Sequence, residues 1–257
     1  MTFVIVGVCY IVVVEIQTQY VYVGNYSFHY SNRSWYSIAM NLINPQIQAC
    51  AEAMMSFSLF ISEPKDILIV GGNNSFLPIF CTQCFPDAIV TMLEVDKNTL
   101  AMRNEEAASS NLDNLRVINA DAGIYLSHKS NAVDAILLDV YSKKTVSAPL
   151  RRQFFYDGCH LALREKGIVV ANFTGDLKRT AACRVYLRDT FERQAYRMLT
   201  KGGSNLISLA LKGMPMLDLL DMKKRAQEVQ KKIGLDLFFY LEQMQQLCQQ
   251  SQLQNVQ

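Results

Sequence analysis

The sequence predicts an α/β fold organised around a mostly parallel sheet. Three features predict it: five short β-branched runs between Asp66 and Ala171, helix-length stretches between them, and a glycine pair directly behind the first run. The runs are Ile67 to Val70, Ile89 to Leu93, Leu115 to Ile118, Val133 to Leu138 and Ile168 to Ala171. Apart from Thr91, Arg116 and Asp134 these runs are apolar throughout rather than alternating, as strands covered on both faces are. Half of the 257 residues are apolar and 19% are charged, which excludes a disordered or fibrous chain, because such chains lack the apolar surface that offsets folding entropy. A net charge of +2 provides no strong field for a duplex or an anionic membrane, so neither a nucleic acid nor a membrane is expected as partner.

Taken in order, the chain opens on an apolar run from Phe3 to Val14 that is too short for a membrane span of roughly 20 residues. No Lys or Arg precedes it and no small-residue cleavage site follows, which argues against a signal peptide. Its Val and Ile content predicts one buried strand, forming a hairpin with a second strand around Tyr20 to Val23. Residues 1–62 are therefore expected to be a small N-terminal β-domain with a helix leading into the core. Within residues 63–215, helices are expected at Asn98 to Ser109, at Arg151 to Leu163 ahead of Lys166-Gly167, and around Leu177 to Phe191. Two last runs, Tyr196 to Leu199 and Leu206 to Leu211, are joined through Gly202-Gly203 and read as an antiparallel hairpin at one sheet edge. Five parallel strands plus such a hairpin is the class I S-adenosylmethionine-dependent methyltransferase-like Rossmann architecture. Residues 216–257 read as a helical tail whose Lys223-Lys224-Arg225 and Lys231-Lys232 form a solvated face rather than a nucleic-acid contact.

Seven cysteines with no secretory signal read as reduced thiols, which places the protein in the cytoplasm. Cys81 and Cys84 form a single C-x-x-C. A structural zinc needs four ligands, and no second pair lies at ligand spacing, so two thiols on neighbouring helix turns is the preferred reading and no metal is expected. His29, His128 and His160 are scattered, and Trp35 and Tyr36 read as core of the small β-domain, with the acceptor side of a site as the alternative.

The candidate site lies at the strand ends. Gly71-Gly72-Asn73-Asn74-Ser75 follows the first strand, where a strand-to-helix turn brings backbone N–H groups close to a ligand. The G-x-G-x-x-G pattern is not met, because Asn73 stands at its second glycine. Glu94 ends the second strand, a little over twenty residues beyond the glycines, where an acid can accept from both hydroxyls of a ribose. Asp121, with Ala122, follows the third strand, where a carboxylate can receive the exocyclic amino group of adenine. Asp139 ends the fourth strand and faces the middle of the crevice. A single acid at a strand end is usually a cap, but three in register behind a glycine turn point to a nucleoside pocket.

With these motifs in place the sequence resembles the spermidine and spermine synthases, or polyamine aminopropyltransferases, as a divergent bacterial-type member. The resemblance rests on Ser37 to Met40, Ala53-Met54-Met55, Ile67 to Ser75, Leu93 to Asp96, Asp121-Ala122, Leu137-Leu138-Asp139, Phe154 to Asp157 and Asn205 to Gly213. It implies transfer of an aminopropyl group from decarboxylated S-adenosylmethionine to a polyamine such as putrescine, with no metal, in a homodimer. It also implies Asp139 as the catalytic acid, Gly71, Gly72, Asn74, Glu94, Asp121 and Ala122 on the nucleoside, and Tyr141 and Ser142 on the acceptor side.

Departures from the family pattern fall on one side of the pocket. Asn74 stands where the family has an acid for the donor's amino group, Ser142 where it has an acid beyond Asp139, and Cys50 where it has a polyamine-facing tyrosine. A diamine with an unpaired ammonium costs on the order of 3 kcal/mol, and Lys143 and Lys144 add repulsion. Asn74 also removes the charge that would exclude the carboxylate of ordinary S-adenosylmethionine. Two alternatives therefore stand beside aminopropyl transfer: an S-adenosylmethionine-dependent methyltransferase of unknown acceptor, and a non-catalytic nucleoside-binding relative.

Overall fold

A computed structural model describes residues 2–7, 10–15, 20–23, 26–29, 45–71, 76–109, 112–139, 149–174, 178, 180–203, 205–214 and 218–254. The chain divides into two compact units, Met1–Gln48 and Ala49–Gln257.

The first unit holds an antiparallel sheet in the order β1 (Thr2–Gly7), β2 (Tyr10–Glu15), β3 (Tyr20–Val23) and β4 (Tyr26–His29). The run expected to be one strand is two. Thr2 pairs with Glu15 and Gly7 with Tyr10, so the run folds back on itself and supplies its own hydrogen-bond partner. Strands of ~5–6 residues are the common length, and a continuous apolar run does not reveal where it reverses. The predicted second strand is present as β3, paired with β2 on one side and β4 on the other.

Helix α1 (Pro45–Met54) carries the chain into the second unit and passes into a 3₁₀ turn at Met55–Leu59. The Rossmann-like core follows as β5 (Asp66–Val70), α2 (Phe76–Cys84), β6 (Ile89–Glu94), α3 (Lys97–Ser109), β7 (Leu115–Asn119), α4 (Ala122–Ser127), β8 (Val133–Leu138), α5 (Gln153–Ala162), β9 (Leu163–Thr174), α6 (Ala181–Thr190), β10 (Ala195–Leu199) and β11 (Asn205–Leu211). Two helices, α7 (Leu219–Ile233) and α8 (Phe238–Gln254), follow.

The seven-stranded sheet runs β10-β11-β9-β8-β5-β6-β7. The pairs β5–β6, β5–β8, β6–β7 and β8–β9 are parallel, while β11 is antiparallel to both β9 and β10. All strands except β11 therefore point the same way, which is the class I methyltransferase-like arrangement. The order reverses between β5 and β8, and ligands of open α/β sheets bind in the crevice at the strand carboxyl ends beside such a switch point. The continuous apolar runs are explained by burial: Ile67, Leu68, Ile69, Leu137, Leu138, Val169 and Val170 are all close to solvent-free.

Strand β9 is longer than its apolar run. Lys166-Gly167, expected to lie just beyond a helix, forms a bulge inside the strand, where the β8–β9 pairing steps from Val133↔Leu163 to Ala135↔Ile168. Lys166 takes a left-handed φ of 64°, and a Cβ on Gly167 would stand 2.8 Å from the Arg164 carbonyl. The backbone crowding needs glycine there, and the tertiary ladder carries the strand through it.

The β10 edge is closed by α8. The Gln243 carboxamide accepts from the Leu199 N–H through Oε1 and donates through Nε2 to the Leu199 carbonyl, each at 2.9 Å, imitating the paired bonds of a neighbouring strand. Unpaired edges template association between chains. Gln243→Ala is expected to leave the fold intact and increase concentration-dependent self-association in sedimentation velocity. Unchanged sedimentation would show that the rest of α8 protects the edge alone.

Candidate active site

Gly71, Glu94, Asp121 and Asp139 each follow or end a strand at the same edge of the sheet, because parallel strands deliver their carboxyl ends together. Backbone hydrogen bonds continue the ladder past the strand ends: the Gly71 N–H donates to the Leu93 carbonyl at 3.0 Å and the Asp139 N–H to the Val70 carbonyl at 2.9 Å. Asp139, Gly71 and Glu94 thus sit on three adjacent strands, β8, β5 and β6. Gly71 has φ 101°, a backbone conformation that a residue with a Cβ rarely adopts, so glycine is required where the chain leaves β5. Gly72, Asn74, Tyr141 and Ser142 lie outside the described residues.

Glu94 and Asp121 each use one oxygen locally. Glu94, at 9% exposure, accepts the Val95 and Asp96 N–H groups on Oε1 at 2.7 and 2.8 Å. Asp121 is the N-cap of α4, its Oδ1 accepting the Ile124 N–H at 3.0 Å. The capping role of a strand-end acid is therefore real, and it leaves the second oxygen of each carboxylate for a ligand. Asn119 ties the ends of β6 and β7 together by donating to the Glu94 carbonyl at 2.8 Å. Beside Asp121 is an open pocket of about 400 Å³ lined by Gly123, Ile124, Pro149, Arg152 and Phe154. Ile124 and Phe154 are largely exposed apolar side chains, and Ala122 is buried beneath them at the start of α4. Gly71, Glu94 and Asp139 do not line that pocket.

Asp139 stands at the end of β8, against β9. It is 8% exposed, and burial pushes its carboxyl above the usual range, opposed by a hydrogen bond from Asn172. Asn172 follows Ala171, the β9 partner of Leu138, so the sheet register sets the two side chains next to each other. Its Nδ2 donates to Asp139 Oδ1 at 2.7 Å and to Cys50 Sγ on α1 at 3.0 Å, while its Oδ1 is buried with no partner among the described residues. Burial first, and then the Asp139 charge, push the Cys50 thiol far above its usual range, so it stays protonated and is not a nucleophile. Asn172 was not singled out from the sequence. A polar residue ending the otherwise apolar Val169-Val170-Ala171 run was the available signal, but its partner is known only once β8 and β9 are paired.

Behind Cys50 on α1 lies a second polar cluster. Glu52, 4% exposed, pairs with Lys201 in the β10–β11 turn at 3.0 Å, and Lys201 also reaches Asp236 Oδ2 at 3.3 Å. Burial lowers the Lys201 pKa, but Glu52 and Asp236 outweigh it and hold the ammonium above its usual range. The Tyr240 hydroxyl donates to the Ala49 carbonyl at 2.8 Å, fastening α8 to α1.

The C-x-x-C cysteines end α2, buried, with Cys81 Sγ 3.6 Å from Met55 Sδ and burial pushing the Cys84 thiol up to about 11. They are packed, inert thiols. Among the described residues no group of three His, Cys, Asp or Glu side chains is arranged to hold a metal ion, and no helix is long and apolar enough to cross a membrane.

No known family profile matches the chain. A polyamine aminopropyltransferase of Chromobacterium violaceum is 25% identical over 217 residues, spanning 83% of this chain and 83% of that protein. The chain is thus similar to spermidine synthase-like proteins. In fold, it is similar to a probable spermidine synthase from Corynebacterium glutamicum, with TM-score 0.60 and 16% identity over 92% of this chain and 89% of the other. It is also similar to human methyltransferase-like protein 13 in complex with SAH, with TM-score 0.57 and 23% identity over 74% of this chain and 90% of the other. The sequence similarity points toward polyamine aminopropyltransferases, and the two structures carry the fold expected from the strand pattern.

Proposed function

We propose that the chain is a transferase of the polyamine aminopropyltransferase type, moving an aminopropyl group from decarboxylated S-adenosylmethionine to an amine nitrogen of a polyamine such as putrescine. The observation that carries this reading is the buried Asp139 carboxyl at the switch point, next to Gly71 and in a chain similar to spermidine synthase-like proteins. An alkylamine with an ordinary pKa of about 10 must lose a proton before it can attack. A carboxyl whose basicity is raised by burial suits that task. The amine nitrogen attacks the carbon next to the sulfonium, the carbon–sulfur bond breaks to release a neutral thioether nucleoside, and the Asp139 carboxylate takes the amine proton. Glu94 and Asp121 receive the ribose hydroxyls and the adenine amino group with the oxygens left free of capping, and Ala122 lies under the base. Gly72 and Asn74 continue the donor side, and Tyr141 and Ser142 the acceptor side. Cytoplasmic location is part of the proposal, supported by five free buried thiols among the described residues, as is a homodimer, by the family resemblance.

Glu94→Ala is expected to weaken nucleoside binding about tenfold or more, the value of a charge-assisted hydrogen bond, with a smaller effect on kcat at saturation. Isothermal titration checks it, and unchanged affinity would remove Glu94 from the site. The reading as a whole is tested by titrating decarboxylated and ordinary S-adenosylmethionine in turn and following each with mass spectrometry after adding putrescine or spermidine. An aminopropylated product supports it. A second reading, methyl transfer from ordinary S-adenosylmethionine, is favoured by Asn74 in place of an acid, and it takes over if only the ordinary form binds.

A further inference from the structure

We propose that Asn172 is a positioning residue of the transfer reaction, a carboxamide that aims the Asp139 carboxylate and, through its second N–H, braces it against α1 at Cys50. The inference rests on the proposed function for its reaction and on geometry for its residue. Asp139 Oδ1 and Cys50 Sγ accept the two hydrogens of one nitrogen, at 2.7 and 3.0 Å, and Asn172 is 2% exposed. The amide orientation is dictated by Asp139: turning it over would set Oδ1 against a carboxylate oxygen that has no hydrogen to donate, whereas as placed Nδ2 gives a hydrogen to Asp139 Oδ1. Asn172 is held by its place beside Ala171 on β9, and Cys50 by α1, so the carboxylate is fixed from a neighbouring strand and from a covering helix at once.

The bond also sets when Asp139 is ionised. Among the described residues no cation pairs with Asp139. The titratable group facing it from α1 is Cys50, whose thiol stays neutral, Asn172 brings no charge from β9, and β5 contributes only the Gly71 and Val70 backbone. With the amide N–H bond as the group that favours the charged form, its loss leaves burial unopposed. The carboxylate would then appear only at higher pH.

Asn172→Leu and Asn172→Gln separate this from a packing role. The leucine variant is expected to lower kcat about 10-fold to 100-fold, the value of one hydrogen bond to a charge, with the nucleoside dissociation constant within about threefold of wild type. The acid limb of its pH–rate profile should move up by about one pH unit, and glutamine should restore part of both. Carboxyl ¹³C titration of Asp139 in the nucleoside-free protein gives the same comparison without any reaction. Asn172→Leu with lowered thermal stability but an unmoved Asp139 titration would overturn the proposal. If wild type transfers no aminopropyl group, the functional reading fails by itself, and the carboxyl titration alone decides whether Asn172 governs Asp139.

Discussion

Asp139→Asn is expected to abolish the proposed transfer and at the same time to make the protein more stable at neutral pH. The loss of rate follows from removing the proton acceptor at the reacting centre, with an expected magnitude of about 10²- to 10⁴-fold for general-base catalysis. The gain in stability follows from linkage. Burial raises the folded-state pKa of Asp139 above its unfolded value, so the folded protein binds this proton more tightly than the unfolded chain does. That contribution is favourable at low pH and is lost as pH rises from the usual carboxyl range through the raised folded value. Above it, the protein keeps a buried carboxylate that the unfolded chain would leave in water. Asparagine carries no such charge, and its own carboxamide oxygen can accept the Asn172 N–H in place of Asp139 Oδ1. We expect the variant to be about 1 kcal/mol more stable at pH 7 to 8 and to converge on wild type near pH 4. Thermal melts across pH measure it. A variant less stable than wild type at neutral pH would mean that the Asp139 carboxylate is held by a stronger partner than Asn172.

Lys201→Met is expected to have the largest effect on the fold. It leaves the Glu52 carboxylate, with a side chain only 5% exposed, without the ammonium 3.0 Å away. Removing one partner of a buried pair costs about 3–5 kcal/mol, and the partly exposed lysine head, at 35%, reduces this to about 2–3 kcal/mol. Glu52→Gln combined with Lys201→Met should recover much of the loss, because no buried charge then lacks a counterion. Urea unfolding of the two single variants and the double gives the coupling. A double variant as unstable as the sum of the singles would show that Glu52 and Lys201 act separately.

The two variants probe opposite uses of a buried carboxylate. Glu52 is neutralised by Lys201, whose ammonium Asp236 also holds, and locks α1 to the β10–β11 turn, whereas Asp139 has one amide N–H and pays in stability for remaining basic. Both acids look alike in sequence, each a lone acid in an apolar setting, Ala51-Glu52-Ala53 and Leu138-Asp139-Val140. Their partners decide their roles, and those partners lie far along the chain.

That contrast marks how far the sequence reaches. The strands β5 to β9 could be read from composition because a strand covered on both faces must be apolar throughout, and the direction of each strand, once helices alternate with strands, is parallel. Acids at the carboxyl ends of such strands then necessarily gather at one edge, which is why Gly71, Glu94, Asp121 and Asp139 were legible together. Phe3 to Val14 was not read correctly, because an apolar run carries no mark of where it reverses. The start of β9 at Leu163, ahead of the apolar run Ile168 to Ala171, was not legible, because only pairing with β8 carries the strand through the bulge at Lys166-Gly167. Asn172, Cys50 and Glu52 acquire their meaning from contacts with Asp139 and Lys201 that no local pattern encodes. The sequence by itself determined the sheet and the line of acids at its strand ends, since both follow from local periodicity and strand direction. Only the tertiary structure decided which acid stays basic and which is neutralised, since a carboxyl's charge depends on burial and on neighbours brought from elsewhere in the chain.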